Sequence, residues 1–426
     1  MKGINSVNRA ERRRLNKENR KKNVVPPFMR EELLSNAVQE LQQGNLEHAD
    51  KLFKKLITSN PDDPNALHFG GITKYQLGSY KKALDLLNRA IQIAPNYAEV
   101  HNSQGIVLLE QRKYENACQS FERAIHLKSD YSNAYTNLGS SLKGLGKLSE
   151  ACIAYNTAIT LEPSNREATY KLASTLLANN DPNAALEAAN NCLEIDPYCQ
   201  NANAYKAIAF SQLQRHSEWN LLYNFDEMIH KSYIQVPKGY DSLQSFNAQL
   251  EKDVRNHTTL TWEPLERVTS GGAVTKDILL NPSKSILAFE KSLRSAIDSY
   301  RDSLAYNSEH IFYSRLPKKY RLTLIASILK ADGKHPPHIH EDSWLSGVYY
   351  VRIPSAVNEM SDEPEGWLEF GRPDYAVPDE FEPDVTVVKP EEGAALFFPS
   401  YFFHGTIPFT GSEERIGIAF DVYPLE

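Results

Sequence analysis

Hydrophobic and polar positions change rhythm twice along the 426 residues. From about residue 30 to residue 199 the pattern is helical and repeats with a period of 34. Pro61, Pro95, Pro163 and Pro197 share one register, with Ser129 in the missing place, and Ala49, Ala83, Ala117, Ala151 and Ala185 share a second. Gly71, Gly105 and Gly139 form a third, and Gly44, Gly78 and Gly146 a fourth. Four residues beyond most of the alanines stands a large side chain: Phe53, Leu87, Phe121 or Tyr155. Between 215 and 315 the register is lost, although FDEMIHKSYI, LQSFNAQLEKDVRNH and SKSILAFEKSLRSAIDSYRDSL keep helical spacing. The last is long and amphipathic enough to buttress a sheet. Between the second and third, Gly271-Gly272 predicts a loop. After Pro317 the pattern becomes that of short strands, RLTLIASIL, WLSGVYYVRI, GWLEF, VTVV, AALFF and RIGIAFDVY, divided by Gly/Pro turns.

The 34-residue period has a simple cause. Two helices of about a dozen residues and two turns fill it, with Ala or Gly where helices cross closely. Proline opens each unit because it cannot continue the helix before it. In these registers the chain resembles the tetratricopeptide repeat family over about five units, with QNANAYKAIAFSQLQRHSEW as a sixth, capping helix. The resemblance implies an all-α solenoid whose concave groove takes a protein or peptide partner. It also implies that Asn102, Asn133, Asn137 and Lys171, on first helices of their repeats, face that groove. A dimerisation module or rigid spacer is the plainer use of such an array.

Composition narrows the class. With 41% hydrophobic and 24% charged residues the chain reads as globular, and its length predicts more than one domain. No apolar run approaches the roughly 18 residues of a membrane span, and no apolar signal core is visible at the start. Four cysteines without C-x-x-C spacing read as reduced core residues, which predicts a cytoplasmic protein. A net charge of −7 argues against nucleic acid as a partner. Residues 1–22 hold nine Lys/Arg against two Glu, but no aromatic is interleaved to stack on bases. That segment reads as a disordered basic leader.

Chemistry gathers in GKHPPHIHEDSWLSGVYYVRI, residues 333–353. His338 and His340, two apart, can project from one side of a strand towards one ion, and imidazole suits Fe, Zn, Cu or Ni. His404, just past the strand AALFF, is the natural third ligand. His340-x-Asp342 with His404 would instead give two histidines and a carboxylate, so Asp342 stands as an alternative ligand. His335 reads as a neighbour of the site rather than a ligand. Strand parity in RIGIAFD puts Arg415, Gly417 and Ala419 on one face, leaving room around a guanidinium for a bidentate carboxylate. Tyr350 shares parity with the histidine pair; its hydroxyl could help hold a co-substrate, or its ring could simply pack. Trp344, Trp367, Tyr401, Phe402 and Phe403 could line an entrance, though core packing explains them as cheaply.

HPPHIHEDSWLSGVYYVRIP, EGWLEFGRP, FFPSYFFHGTIPF and ERIGIAFDVYP together resemble the 2-oxoglutarate/Fe(II) oxygenase family often fused behind tetratricopeptide repeats. The resemblance spans roughly 220–426. It implies a double-stranded β-helix (jelly roll), Fe(II) on His338, His340 and His404, 2-oxoglutarate anchored by Arg415, and O2 as co-substrate. Ala419 departs from the wider superfamily, where a hydroxyl residue often accompanies the Arg. The expectation is therefore a multidomain chain with a leader (1–29), an all-α tetratricopeptide solenoid (30–215) and an α+β jelly-roll domain (216–426). Its expected activity is that of a dioxygenase (hydroxylase) whose repeats recruit a protein or peptide. Three alternatives stay open: a cupin-like metal protein, for which Trp344 and Leu345 stand where a Glu is wanted; a zinc hydrolase using Glu341 or Asp342 as base; and a non-catalytic repeat scaffold with a degenerate barrel.

Overall fold

The structure, a computed structural model, describes residues 26–263, 269–358 and 364–425. Residues 1–25 of the expected leader lie outside the described residues. The chain forms two compact units, Met1–Asn165 and Arg166–Glu426.

The first unit is a run of antiparallel helix pairs: Arg30–Gln42 with Leu46–Ser59, Pro64–Gln76 with Tyr80–Ile93, Ala98–Glu110 with Tyr114–Leu127, and Ser132–Gly144 with Leu148–Leu161. The registers seen in the sequence are the contacts of these pairs. A Cβ added at Gly71, Gly105 or Gly139 would come within 2.8, 2.5 and 2.7 Å of Leu87, Phe121 and Tyr155. Each glycine of the first helix is thus the socket for the large residue of the second. The register alanines Ala49, Ala83, Ala117 and Ala151 are fully buried. Gly44, Gly78 and Gly146 end first helices at φ of +78°, +70° and +74°, the left-handed cap that glycine adopts without strain. Arg112, Asn180 and Gln214 hold the same register and the same conformation at φ of +56°, +59° and +55°.

The second unit begins with more of the same repeat. Helices Arg166–Ala178 and Pro182–Ile195 form a pair, and Gln200–Gln212 is followed by a short helix, His216–Leu222. The expected single capping helix is therefore a truncated sixth pair. Gln200–Gln212 is buried on nearly every side, with Tyr205 5.7 Å from the Phe403 ring and the Ser211 hydroxyl donating to Asp384 at 2.5 Å.

Among the described residues ten strands follow: β1 (His230–Tyr233), β2 (Thr261–Trp262), β3 (Ser270–Asp277), β4 (Tyr320–Lys334), β5 (Leu345–Arg352), β6 (Leu368–Phe370), β7 (Thr386–Val388), β8 (Ala394–Pro399), β9 (His404–Thr406) and β10 (Arg415–Pro424). They make two antiparallel sheets, in the order β1-β8-β5-β10-β4-β3-β2 and β7-β6-β9. This is the jelly-roll class read from the sequence, behind an all-α solenoid. Helices Leu243–Arg255 and Lys284–Ser303 buttress the large sheet through Tyr349, whose hydroxyl donates to Asn247 at 2.6 Å and whose ring lies 4.8 Å from Phe289.

Two segments differ from the pattern read in the sequence. FDEMIHKSYI is a four-residue helix and then β1, because pairing with β8 captures its second half. SGGAVTKD, expected as a loop, is β3. Gly271, at φ +67°, opens it where any Cβ would meet the Gly333 backbone at 2.8 Å, so the glycines admit a close strand approach. Among the described residues no helix is long and apolar enough to cross a membrane. None of the four cysteines, all among the described residues, is in a disulfide.

Candidate metal centre

Backbone pairing builds the site. Residues 335–340 run along the free edge of β9: His338 and His404 exchange N–H···O bonds at 3.0 Å in both directions, and the His335 carbonyl accepts from Thr406 N at 2.9 Å. His340 N donates to the Ser400 carbonyl at 3.0 Å. A proline-rich loop that cannot form a full ladder is thereby held as an extra strand. The His338 and His340 ring centroids lie 4.4 and 5.1 Å from that of His404. One nitrogen from each of these three rings lies within 4.8 Å of the others.

Each ring also has its other nitrogen secured. The His338 Nδ1–H donates to the Pro336 carbonyl and the His404 Nδ1–H to the Phe402 carbonyl, both at 2.9 Å. His340 Nδ1 donates to Asp421 Oδ1 at 2.7 Å. All three therefore present Nε2, the arrangement of second-layer hydrogen bonds that orients metal-binding imidazoles. Burial lowers His404 well below the ordinary imidazole range and His338 to about 4, so both are neutral, the form in which imidazole binds a metal. Burial also pulls on His340, but the Asp421 carboxylate outweighs it and raises that ring. Asp421 is itself 5% exposed; burial works against its charge, and His340 with Ser346 and Ser343 holds it below its ordinary value.

The rings line a cavity of about 290 Å³ between the sheets, walled by Leu368, Phe398, Val348 and Ile325. Arg415, Gly417, Ala419 and Asp421 line it from β10, while Ile416, Ile418 and Phe420 fill the opposite face. Arg415 is 5% exposed, and no carboxylate among the described residues pairs with it. Its guanidinium lies 5.1 Å from the Tyr350 ring centroid. Ser327, opposite Gly417 across β4, brings a hydroxyl into the same cavity, the group that Ala419 does not supply.

The remaining candidates fall in other places. His335 lines the cavity with Nδ1 3.3 Å from the Thr406 hydroxyl, and burial, then His338, Arg415 and His340, lower it to about 3. Asp342 is exposed and outside the converging trio. Tyr350 is fully buried behind the cavity wall; its hydroxyl is near Arg415 but outside hydrogen-bonding geometry. Trp344 stacks on Phe312, with ring centroids 4.9 Å apart, and Tyr401 and Phe402 pack on Tyr223, so these aromatics belong to the core. In the first unit the Asn137 amide donates to the buried Asn102 at 3.1 Å, and Asn133 is exposed. In the second, Lys171 pairs with Glu167 at 2.7 Å. Asp421 was the residue missed in the sequence, although its parity with Arg415 was visible there.

Residues 325–421 match the family described as "Putative 2OG-Fe(II) oxygenase". Residues 71–112 match a "TPR repeat" family, and 132–165 and 167–199 match "Tetratricopeptide repeat". The chain thus joins tetratricopeptide repeats to a 2-oxoglutarate/Fe(II) oxygenase-family domain in one polypeptide. Comparison with curated proteins gives no match. Solved structures similar to the chain include MamA from Desulfovibrio magneticus RS-1 (23% identity, 39% of this chain and 95% of that one, TM-score 0.37). Another is PilF of Pseudomonas aeruginosa (18%, 45% and 87%, 0.42). A third is a thermophilic repeat protein of Thermus thermophilus (22%, 42% and 98%, 0.38).

Proposed function

We propose that this protein is an Fe(II)/2-oxoglutarate-dependent dioxygenase that hydroxylates a substrate brought to it by the repeats. One observation carries the reading: a buried guanidinium without a carboxylate partner shares a small cavity with three imidazoles that all present Nε2. The donor set fits Fe(II), with His338, His340 and His404 as ligands. An unpaired buried charge is costly, and a dicarboxylate in the cavity would remove that cost.

When bound, Fe(II) with 2-oxoglutarate supplies coupled oxidation: 2-oxoglutarate and O2 become succinate and CO2, and one oxygen atom enters a C–H bond of the substrate. The chain's residues do the rest. Arg415 takes the far carboxylate of the keto acid through its paired N–H groups, and Ser327 adds a hydroxyl beside it. Gly417 and Ala419 leave that lane open. Leu368, Phe398 and Val348 would keep water out of the lane between Arg415 and the three imidazoles. Tyr350 supports the Arg415 guanidinium from behind with its ring face. Asn102, Asn133, Asn137 and Lys171 are proposed contacts for a protein or peptide partner, and four cysteines outside any disulfide favour a cytoplasmic setting.

Anaerobic addition of Fe(II) and then 2-oxoglutarate tests this through the weak visible charge-transfer absorption. The native protein is expected to develop it. Arg415→Ala should need about 10–100-fold more 2-oxoglutarate, from loss of a charged hydrogen-bond pair of roughly 1.5–3 kcal/mol. Folded native protein that gives no absorption would sink the assignment.

A further inference from the structure

We propose that Asp421 is a positioning residue for the metal centre. Its carboxylate, anchored by a buried serine cluster, fixes His340 towards the cavity and places a negatively charged acceptor behind that ring alone. The inference rests on reading the three histidines as metal ligands.

The geometry is unusually complete. Asp421 Oδ1 receives His340 Nδ1–H at 2.7 Å and the Ser346 hydroxyl at 2.6 Å, with the Ser343 hydroxyl at 3.3 Å. Ser400 Oγ lies 2.8 Å from Ser343 and 2.9 Å from Ser346. All three serines are at most 1% exposed. Ser343 and Ser346, around the start of β5, reach the carboxylate oxygen directly, and Ser400, just past β8, ties the two serines together. No Lys or Arg among the described residues pairs with Asp421.

The other two rings differ in an informative way. His338 and His404 give their Nδ1–H to neutral backbone carbonyls, and only His340 gives it to a carboxylate. A hydrogen-bonded carboxylate makes an imidazole the more basic ligand and stops it rotating. The usual non-haem iron site places its one carboxylate on the metal. Here the buried carboxylate lies on the Nδ1 side of the His340 ring, and Asp342 is exposed outside the trio.

The test uses Co(II) as probe, with affinity measured by competition against a fluorescent chelator and geometry by the visible ligand-field spectrum. Asp421→Asn keeps shape and an acceptor oxygen but removes the charge. It is expected to weaken Co(II) about 10–100-fold and to shift the spectrum. Asp421→Ala should lose more, and Ser346→Ala, which only loosens the anchor, less. Native affinity and spectrum in Asp421→Asn would overturn the proposal while leaving the metal reading intact. Native protein that binds no Co(II) would overturn both. Should Asp421→Asn fail to fold, Ser346→Ala and Ser400→Ala decide by the same readouts, unchanged values again overturning the proposal.

Discussion

His335 and His338 stand three residues apart on one loop and line one cavity, yet they face different tasks. His338 has Nδ1 tied to a carbonyl and Nε2 directed at two other imidazoles; His335 leans on the Thr406 hydroxyl and lies outside the trio. His338→Gln should therefore cost about 100-fold or more in Co(II) affinity, while His335→Gln stays within about 3-fold, by chelator competition. An equal loss in both would make the centre a four-histidine one. At this scale much of the candidate site was legible in the sequence. Two-residue spacing marked His338 and His340, strand parity marked Arg415, and the strand end marked His404. Asp421 was hidden because the partner of a ring is set by which strands neighbour each other, and β10 meets β5 only after folding. The carbonyls of Pro336 and Phe402 were hidden for a different reason. Every residue has one, so a hydrogen-bond role leaves no mark in the letters.

At the scale of elements, the repeats were legible because their contacts are local. Gly105 and Phe121 are sixteen residues apart, and Gly71 with Leu87 and Gly139 with Tyr155 reuse that distance. Gly105→Ala would set a Cβ 2.5 Å from the Phe121 ring; overpacking of this kind costs about 1–3 kcal/mol, read as a lower urea midpoint. A neutral result would mean that Phe121 can swing away. The left-handed caps show the limit of reading glycines as a register, since Arg112, Asn180 and Gln214 adopt the same turn without announcing it. β3 was hidden in a similar way. Glycine usually marks a turn, but at Gly271 and Gly272 it permits a strand to lie close against β4, whose backbone leaves no space for a side chain.

For the whole molecule, division into two compact units predicts two separable unfolding transitions. A ligand of the native state stabilises only the unit that binds it, by about 2.7 kcal/mol at a concentration 100 times Kd. Co(II) should therefore raise the melting temperature of the 166–426 transition and leave the 1–165 transition in place, by calorimetry. Movement of both together would show a single cooperative body. Within the second unit, one strand has a wider consequence. Arg415 and Asp421 sit at opposite ends of the same cavity-lining lane of β10, six residues and therefore about 20 Å of strand apart. On the proposed reading, the grip on the co-substrate and the brace behind His340 would both be set along one strand, with no loop between them. The spacing of those two roles would then be a property of the β10 backbone, so that a residue inserted between Arg415 and Asp421 would be expected to disturb both at once.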